Sequence, residues 1–414
     1  MNIAYCSLLL PEEKRLAERS KERLSGISGH KVTSATIKGL DANLDFPMTI
    51  FNIINTLNYP KFPQIIFKDE KWNHIKDSED WHIGYINFIG IKYITQAYNL
   101  YLKLSRWVNS KCGERCIICV HYIYYPAMVA ACLVKYFHKD QVILCLNTGD
   151  IPGRYGLKSK SKAILKDFLI THIVDNGIMS MAKYFDCFVF VTKEMAKAFG
   201  VESKPFVVLE CTYTQPQWVN ISQKYQKNED EIKNIFYAGA LREEYGITHL
   251  LRAFSLIHDP NYRLTIAGGG PSEEQILEYS KHDSRIQFLG FITPQDVFIQ
   301  QQKATVLVNP RTSELEYVKY SFPSKSVDSL ASGTPYIAHR LPCDPPEYED
   351  FIQYTKNDSD EALAEKMIEI CELSEERRKN IGMKARAFII NEKNPNIMTK
   401  RVVDMWAKQL HRQI

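Results

Sequence analysis

Residues 319–337, "KYSFPSKSVDSLASGTPYI", put a cation where the backbone disfavours one. Pro323, Ser324 and Lys325 open an apolar helical stretch that stops at Ser332-Gly333, and a β-branched strand follows at once. The first turn of a helix carries partial positive charge, so a lysine there is repelled unless it reaches into water or shares the place with an anion. Ser324 is expected to cap the helix. Its hydroxyl, the open backbone N–H groups and the Lys325 ammonium would then seat a phosphate or diphosphate. Asp328, about one turn further on, is placed to accept hydrogen bonds from the hydroxyls of a sugar.

Three glycine turns repeat the theme. They are "YAGALREEYGITHLLRAF" (237–254), "LTIAGGGP" (264–271) and "FLGFITP" (288–294). Gly239 and Gly269 let backbone approach a ligand closely. Arg242 lies just past the end of its strand, and Phe291 with Ile292 offers an apolar shelf for a flat base. Any one such turn is ordinary; together with the Pro-Ser-Lys turn they converge on a single crevice at the carboxyl ends of parallel strands.

The elements that must carry these turns alternate along the chain. Strands are expected over 2–8, 31–37, 116–121, 142–147, 187–192 and 206–210, then over 234–239, 262–269, 285–290, 305–310, 335–340 and 351–355. Helices such as 11–24 and 93–107 lie between them. Apolar strands separated by helices indicate parallel sheets covered on both faces, hence an α/β protein with two doubly wound, Rossmann-like domains. Residues 212–234 are polar, lack a period and end in a charge run, which sets the boundary: 1–212 form the first domain and 213–393 the second. The final helix, 394–414, carries Trp406 and Leu410 and is expected to pack back on the first domain. Residues 40–83 read as irregular.

The 414 residues suffice for two cores, with 52 Lys+Arg against 48 Asp+Glu, a net charge of +4. That balance, without a dense basic block, excludes nucleic acid as the main ligand. The opening "MNIAYCSLLLP" lacks a basic leader and its apolar run is short, so a cytoplasmic location is expected. Cys112, Cys116 and Cys119 have no second pair at zinc spacing, and no metal is expected.

The order "YAGALREEYGI…LLRAF…LTIAGGGP…RIQFLGF…VLVNPR…EYVKYSFPSKSVDSLASGTPYI" resembles family 4 glycosyltransferases of the two-domain GT-B fold, and most of all their bacterial capsular and exopolysaccharide branch. The resemblance covers nearly all of 234–356 and is thinner before it, at 83–98, 149–156 and 185–199. It implies metal-independent transfer of a sugar from a nucleotide diphosphate donor with retention, the donor held by the second domain and the acceptor by the first. The implied roles are diphosphate binding for Ser324 and Lys325, beside Pro323, and the ribose contact for Asp328, where the family usually has glutamate. The first acid of the family's paired-carboxylate motif falls on Tyr320, leaving Glu316 as the nearest acid. Basic residues that many relatives carry in the first glycine turn are Ala240 and Tyr245 here, which leaves Arg242 either as their substitute or as an ordinary surface arginine. A sugar-nucleotide epimerase and a non-catalytic nucleotide-sugar-binding subunit are the two rival readings.

On the acceptor side, Asp150 in "NTGDIPGRYG" (147–156) stands in a Gly/Pro loop after a strand, able to orient an acceptor hydroxyl or simply to form a turn. His121 ends another strand, where a structural role outweighs a catalytic one. The acceptor implied by the resemblance is a glycan, commonly lipid-linked. Arg154, Lys158, Lys160, Lys162 and Lys166 beside Ile164, Leu165, Phe168 and Leu169 suit peripheral contact with an anionic membrane, or an ordinary solvated basic face.

Overall fold

The computed structural model describes residues 1–9, 27–152, 175–216 and 232–411. The expected helix at 11–24 and the basic segment 154–174 lie outside these residues. The chain divides into two compact units, one of Met1–Thr212 with Pro395–Ile414 and one of Tyr213–Asn394.

The first unit is built on an eight-stranded sheet. Its strands are β1 (Asn2–Ser7), β2 (Thr49–Asn52), β4 (Glu70–Trp72), β5 (Asp80–His82), β7 (Cys116–His121), β8 (Val142–Thr148), β9 (Cys187–Phe190) and β10 (Phe206–Val208). They run in the order β10-β9-β8-β7-β1-β2-β5-β4. All neighbours are parallel except β4 and β5. Two short strands, β3 (Ile66–Phe67) and β6 (Tyr85–Ile86), pair antiparallel beside it. Strands β7 and β8 are buried along their whole length, as a parallel strand covered on both faces must be.

Two sequence expectations fail here. Residues 31–37 are not a strand but part of the helix Ile27–Asp41. Their β-branched side chains suggested a strand, yet the buried positions are Thr33, Thr36, Ile37 and Leu40, the i, i+3, i+4, i+7 spacing of a helix face. Thr36 satisfies its hydroxyl by donating to the Val32 carbonyl at 2.9 Å, a bond available only in a helix. The second strand is instead β2, inside 40–83, which holds β3, β4 and β5 as well. These strands are two to four residues long, too short to show a period.

The helix Pro395–His411 completes the first unit. Trp406 is fully buried in a core shared with Tyr5, Cys119, Cys145 and Cys187. A β-carbon at Gly39 would lie 2.5 Å from the Pro395 carbonyl oxygen, so glycine alone allows the two helices this approach. Asn43 Nδ2 seals the contact by donating to the Asn396 carbonyl at 2.8 Å.

The second unit holds a six-stranded, wholly parallel sheet. Its strands are β11 (Lys233–Ala240), β12 (Tyr262–Gly269), β13 (Ile286–Phe288), β14 (Val306–Asn309), β15 (Tyr336–Ala338) and β16 (Gln353–Tyr354), in the order β13-β12-β11-β14-β15-β16. The order reverses between β11 and β14, so helices leave this point to opposite faces and a crevice opens at the carboxyl ends of the two strands. Among the described residues, no helix is long and apolar enough to cross a membrane.

Candidate functional site

The crevice of the second unit is shaped by glycines that no other residue can replace. A β-carbon at Gly268, whose φ is +140°, would lie 1.8 Å from the Gly239 carbonyl oxygen; one at Gly270, φ +157°, would lie 2.4 Å from that of Leu241. Gly246, φ +83°, sits 2.1 Å by the same measure from the Pro310 carbonyl oxygen, binding the turn after β11 to the turn after β14. Gly269 is different. A β-carbon there meets only Glu273 Oε1 at 3.5 Å, so its neighbours, and not Gly269 itself, are the constrained positions. The Gly268 N–H donates to the Gly290 carbonyl at 2.8 Å. One backbone line thus joins the ends of β11 and β12 to the turn that carries Phe291.

Gly239 and Lys325 meet at the switch point. A β-carbon on Gly239 would lie 2.9 Å from Lys325 Nζ and 2.5 Å from the Tyr237 hydroxyl. That hydroxyl is fixed by donating to the Ala240 carbonyl at 3.1 Å. Lys325 leaves the first turn of the helix Ser324–Ala331 and passes its ammonium over the end of β11. Burial lowers its pKa, and Asp328, next on the same helix face, pulls the other way. The side chain is exposed along its surface; the desolvation reflects protein mass around the ammonium rather than a sealed cavity.

Ser324 does not cap the helix as expected. It is the first helical residue, Pro323 occupies the capping position, and no side chain closes the turn. Proline suits that place, since it has no N–H to satisfy. The Ser324 hydroxyl is exposed, and the N–H groups of Ser324 and Lys325 have no carbonyl behind them in a helix start. Ser326 turns inward and bonds the Tyr336 hydroxyl at 2.7 Å, tying the helix to β15.

The remaining candidates lie on both units, each described within its own. Arg242 is half-buried and rests on Glu244, Nε to Oε2 at 3.5 Å. Phe291 is 87 % exposed and Ile292 half-buried beside it. Glu316 opens a 3-10 turn, Glu316–Tyr320, with Glu316 exposed and Tyr320 half-buried. Asp150 follows β8 in the other unit. It is exposed, and its N–H donates to the Thr148 hydroxyl oxygen at 3.1 Å. Beside it, Tyr122 holds a left-handed φ of 69° with its hydroxyl 3.0 Å from Thr33 Oγ1. His121 is buried against the Tyr5 hydroxyl, and burial lowers its pKa to about 3, which fits a structural imidazole. Among the described residues, no cluster of three or more His, Cys, Asp or Glu is arranged to hold a metal ion.

One residue of the site lacked a role in the sequence reading. Arg311, in "NPR", is buried between two rings, its guanidinium 5.2 Å from the centre of Tyr245 and 4.7 Å from that of Tyr317. It donates to the Tyr317 hydroxyl at 3.2 Å and to the Ser321 carbonyl at 3.2 Å. The signal was an arginine directly after a strand-ending proline, at the same carboxyl edge as the glycine turns. Arg311 therefore braces the loop that delivers Ser324 and Lys325, and it packs a cation on the Tyr245 ring in the turn where a basic side chain was missed.

The fold and part of the sequence have known counterparts. Residues 232–372 match the family model described as "Glycosyl transferases group 1". A glycosyltransferase from Rickettsia africae superposes with a TM-score of 0.63 at 13% identity, covering 100% of this chain and 99% of its own. Anabaena HepE, solved in complex with UDP, gives 0.55 at 11% identity, over 99% of this chain and 100% of its own. The fold is GT-B. By sequence, the GT-B chain is 29% identical over 143 residues to the alpha-monoglucosyldiacylglycerol synthase of Acholeplasma laidlawii, which is 33% of this chain and 34% of that protein. The chain thus spans about a third of the length of that curated relative, and the group 1 glycosyl transferase likeness lies in the unit that holds Lys325.

Proposed function

We propose that this GT-B protein transfers a sugar from a nucleoside diphosphate sugar to an acceptor hydroxyl, with the donor in the second unit, 213–393, and the acceptor in the first, 1–212. The observation that carries this reading is the Lys325 ammonium lying over Gly239 at the switch point, in front of an uncapped helix start. Those three features create a positive, close-approach seat for a diphosphate. Asp328 reaches the ribose from the same helix face, Phe291 with Ile292 covers the base, and Glu316 and Tyr320 line the sugar side of the donor.

In the reaction, the bond between the sugar's anomeric carbon and the diphosphate oxygen breaks while the acceptor oxygen bonds to that carbon. Charge grows on the departing diphosphate, where Lys325, Arg242 and the helix N–H groups stabilise it. The acceptor's proton passes to the departing phosphate, and Asp150 orients the attacking hydroxyl. Attack on the face that the leaving group vacates gives retention. The acceptor is a lipid-linked glycan or a glycolipid of a cell-surface polysaccharide route; the glucosyldiacylglycerol synthase among its relatives supports a lipid acceptor, and the UDP complex of a fold neighbour makes UDP the first nucleotide to try.

Incubation of the full chain with UDP-, GDP-, ADP- and dTDP-sugars and membrane lipid extract tests the reading. Sugar incorporation into lipid, abolished by Lys325→Ala, is the expected result. An isomerised nucleotide sugar formed without acceptor would replace transfer with epimerisation. Binding of a donor with neither outcome would leave only a nucleotide-sugar-binding subunit.

A further inference from the structure

We propose that His249, His339 and Asp358 are positioning residues for the donor: the two imidazoles share one extra proton, and that charge fixes the loop that follows Arg311 and carries Glu316 and Tyr320. The inference rests on the proposed function for the role of that loop, but not for the state of the histidines. Both rings are buried, at 6% and 0% exposure. His249 lies in the first turn of the helix Ile247–Ser255, and His339 directly follows β15. Their Nε2 atoms lie 2.7 Å apart, a hydrogen-bond distance that requires one proton between them and no other number.

The oxygens around the pair fix how many protons it holds. His249 Nδ1 is bonded to Asp360 Oδ1, and Arg252 donates to the same carboxylate, Nε to Oδ2 at 2.6 Å and Nη2 to Oδ1 at 3.2 Å. Burial would raise the Asp360 pKa, but Arg252 and His249 outweigh it and hold it below the ordinary carboxylate value. An ionised carboxylate only accepts, so His249 Nδ1 carries a proton. At the other end, His339 Nδ1 faces Thr355 Oγ1 at 2.6 Å, the Asn357 carbonyl at 3.1 Å and Asp358 Oδ1 at 3.6 Å. The Thr355 hydroxyl donates its own proton to the Asn357 carbonyl at 2.9 Å, so all three oxygens only accept here and His339 Nδ1 carries a proton too. With the shared one, the pair holds three protons on four ring nitrogens, one more than two neutral rings. Burial, and then His249, lower the His339 pKa to about 4, which leaves the charge on His249, beside Asp360.

The charge reaches the donor side through Asp358. Its Oδ1 faces the His339 ring, and its Oδ2 accepts from Ser313, from the N–H at 2.6 Å and from the hydroxyl at 2.7 Å. Ser313 lies between Arg311 and Glu316. The helix of His249 starts at Gly246, so the network ties together the same two segments, after β11 and after β14, that Gly246 and Pro310 bring into contact. The charged groups that face the pair are Arg252 on the helix of His249, Asp360 at the start of the helix Asp360–Cys371 and Asp358 in the turn after β16, with Glu243 acting on Arg252 from further away. Loss of the extra proton leaves two protons for three places that need one. Either the rings then part or a bare ring nitrogen meets oxygen. The loop is thus held while the pair is cationic, and it loosens as pH rises and that proton leaves.

Imidazole nitrogen NMR of the full chain, labelled at histidine, tests the protonation, with signals assigned from His249→Gln and His339→Gln. At about pH 7, His249 is expected to show two protonated nitrogens and His339 a neutral ring protonated at Nδ1. Two neutral rings overturn the proposal. Hydrogen exchange tests the positioning. His249→Leu removes the proton donor and should speed exchange across residues 311–320 by about tenfold or more, after correction for the intrinsic rate. His249→Gln, whose amide donates to His339 Nε2 at any pH, should restore the protection and abolish the loosening that the wild type shows between about pH 6 and about pH 9. Equal exchange in the wild type and His249→Leu, or a loosening with pH that His249→Gln keeps, overturns the proposal. UDP-glucose should raise the melting temperature of the wild type more than that of His249→Leu; an equal rise would remove the donor role. No rise in the wild type would count against the nucleotide-sugar reading and leave the shared proton and its hold on the loop standing.

Discussion

Lys325 stands out in the sequence because it breaks a rule: a cation in the first turn of a helix needs an anion or water to explain it. Its surroundings do not, since only the parallel register of β11 with β12 and β14 brings Gly239 beneath its ammonium. With its pKa lowered by burial, Lys325 loses its proton at a lower pH than an ordinary lysine. Nucleotide affinity should accordingly fall as pH rises toward and through that lowered value. Lys325→Ala should lower turnover by about 10²–10³-fold with the melting temperature unchanged, and flatten the alkaline limb of the nucleotide-binding profile. Arg311 could not be assigned from sequence, because its two tyrosine neighbours are 66 and 6 residues away and meet it only in the fold. Arg311→Ala removes two hydrogen bonds and two ring contacts from a buried site. It should destabilise the second unit by about 2–4 kcal/mol in urea titration, with loss of nucleotide binding as the loop relaxes.

At the scale of elements, the second unit was read nearly strand for strand. Its strands are apolar and separated by glycine turns whose close backbone contacts the structure explains. Those contacts yield a sharp contrast. Gly268→Ala forces a β-carbon to 1.8 Å from the Gly239 oxygen at a left-handed φ, whereas Gly269→Ala adds one in ordinary contact. The first change should leave the protein insoluble or destabilised by about 3 kcal/mol or more, and the second should cost under about 1 kcal/mol; circular dichroism melts of the two variants compare them directly. The first unit was harder to read. In "KVTSATI", β-branched composition and helical spacing compete, and packing against Pro395–His411 decided for the helix. The strands within 40–83 owe their place to partners rather than to their own pattern. One of these, β5, supplies Asp80, which accepts from the Ile50 N–H at 2.7 Å and so fastens β2.

Across the whole molecule, two doubly wound sheets and their order along the chain were legible, as was the return of the last helix. The run of exposed apolar side chains at Ile89, Ile94 and Tyr98 was not, since it shows only once burial is known. The units also differ in how pH acts on them. In the first, His74 is bonded to Asp41 at 2.8 Å and to Asp80 at 2.7 Å. Burial alone would lower its pKa, but the two carboxylates outweigh burial and raise it from 6.5 to about 9. A folded value above the unfolded one means that the stabilisation is complete below about pH 6.5 and is lost as pH rises through about 9. The first unit should therefore lose up to about 3 kcal/mol across that window, and His74→Gln should flatten the dependence in urea titrations at stepped pH. The central claim is more local: an activated sugar's diphosphate sits on the helix start at Ser324. A structure of the full chain with its true donor tests it most directly. Phosphate oxygens within hydrogen-bonding distance of Lys325 Nζ and the Ser324 and Lys325 N–H groups are predicted; phosphates bound elsewhere, with Lys325 still facing Gly239 alone, would contradict it.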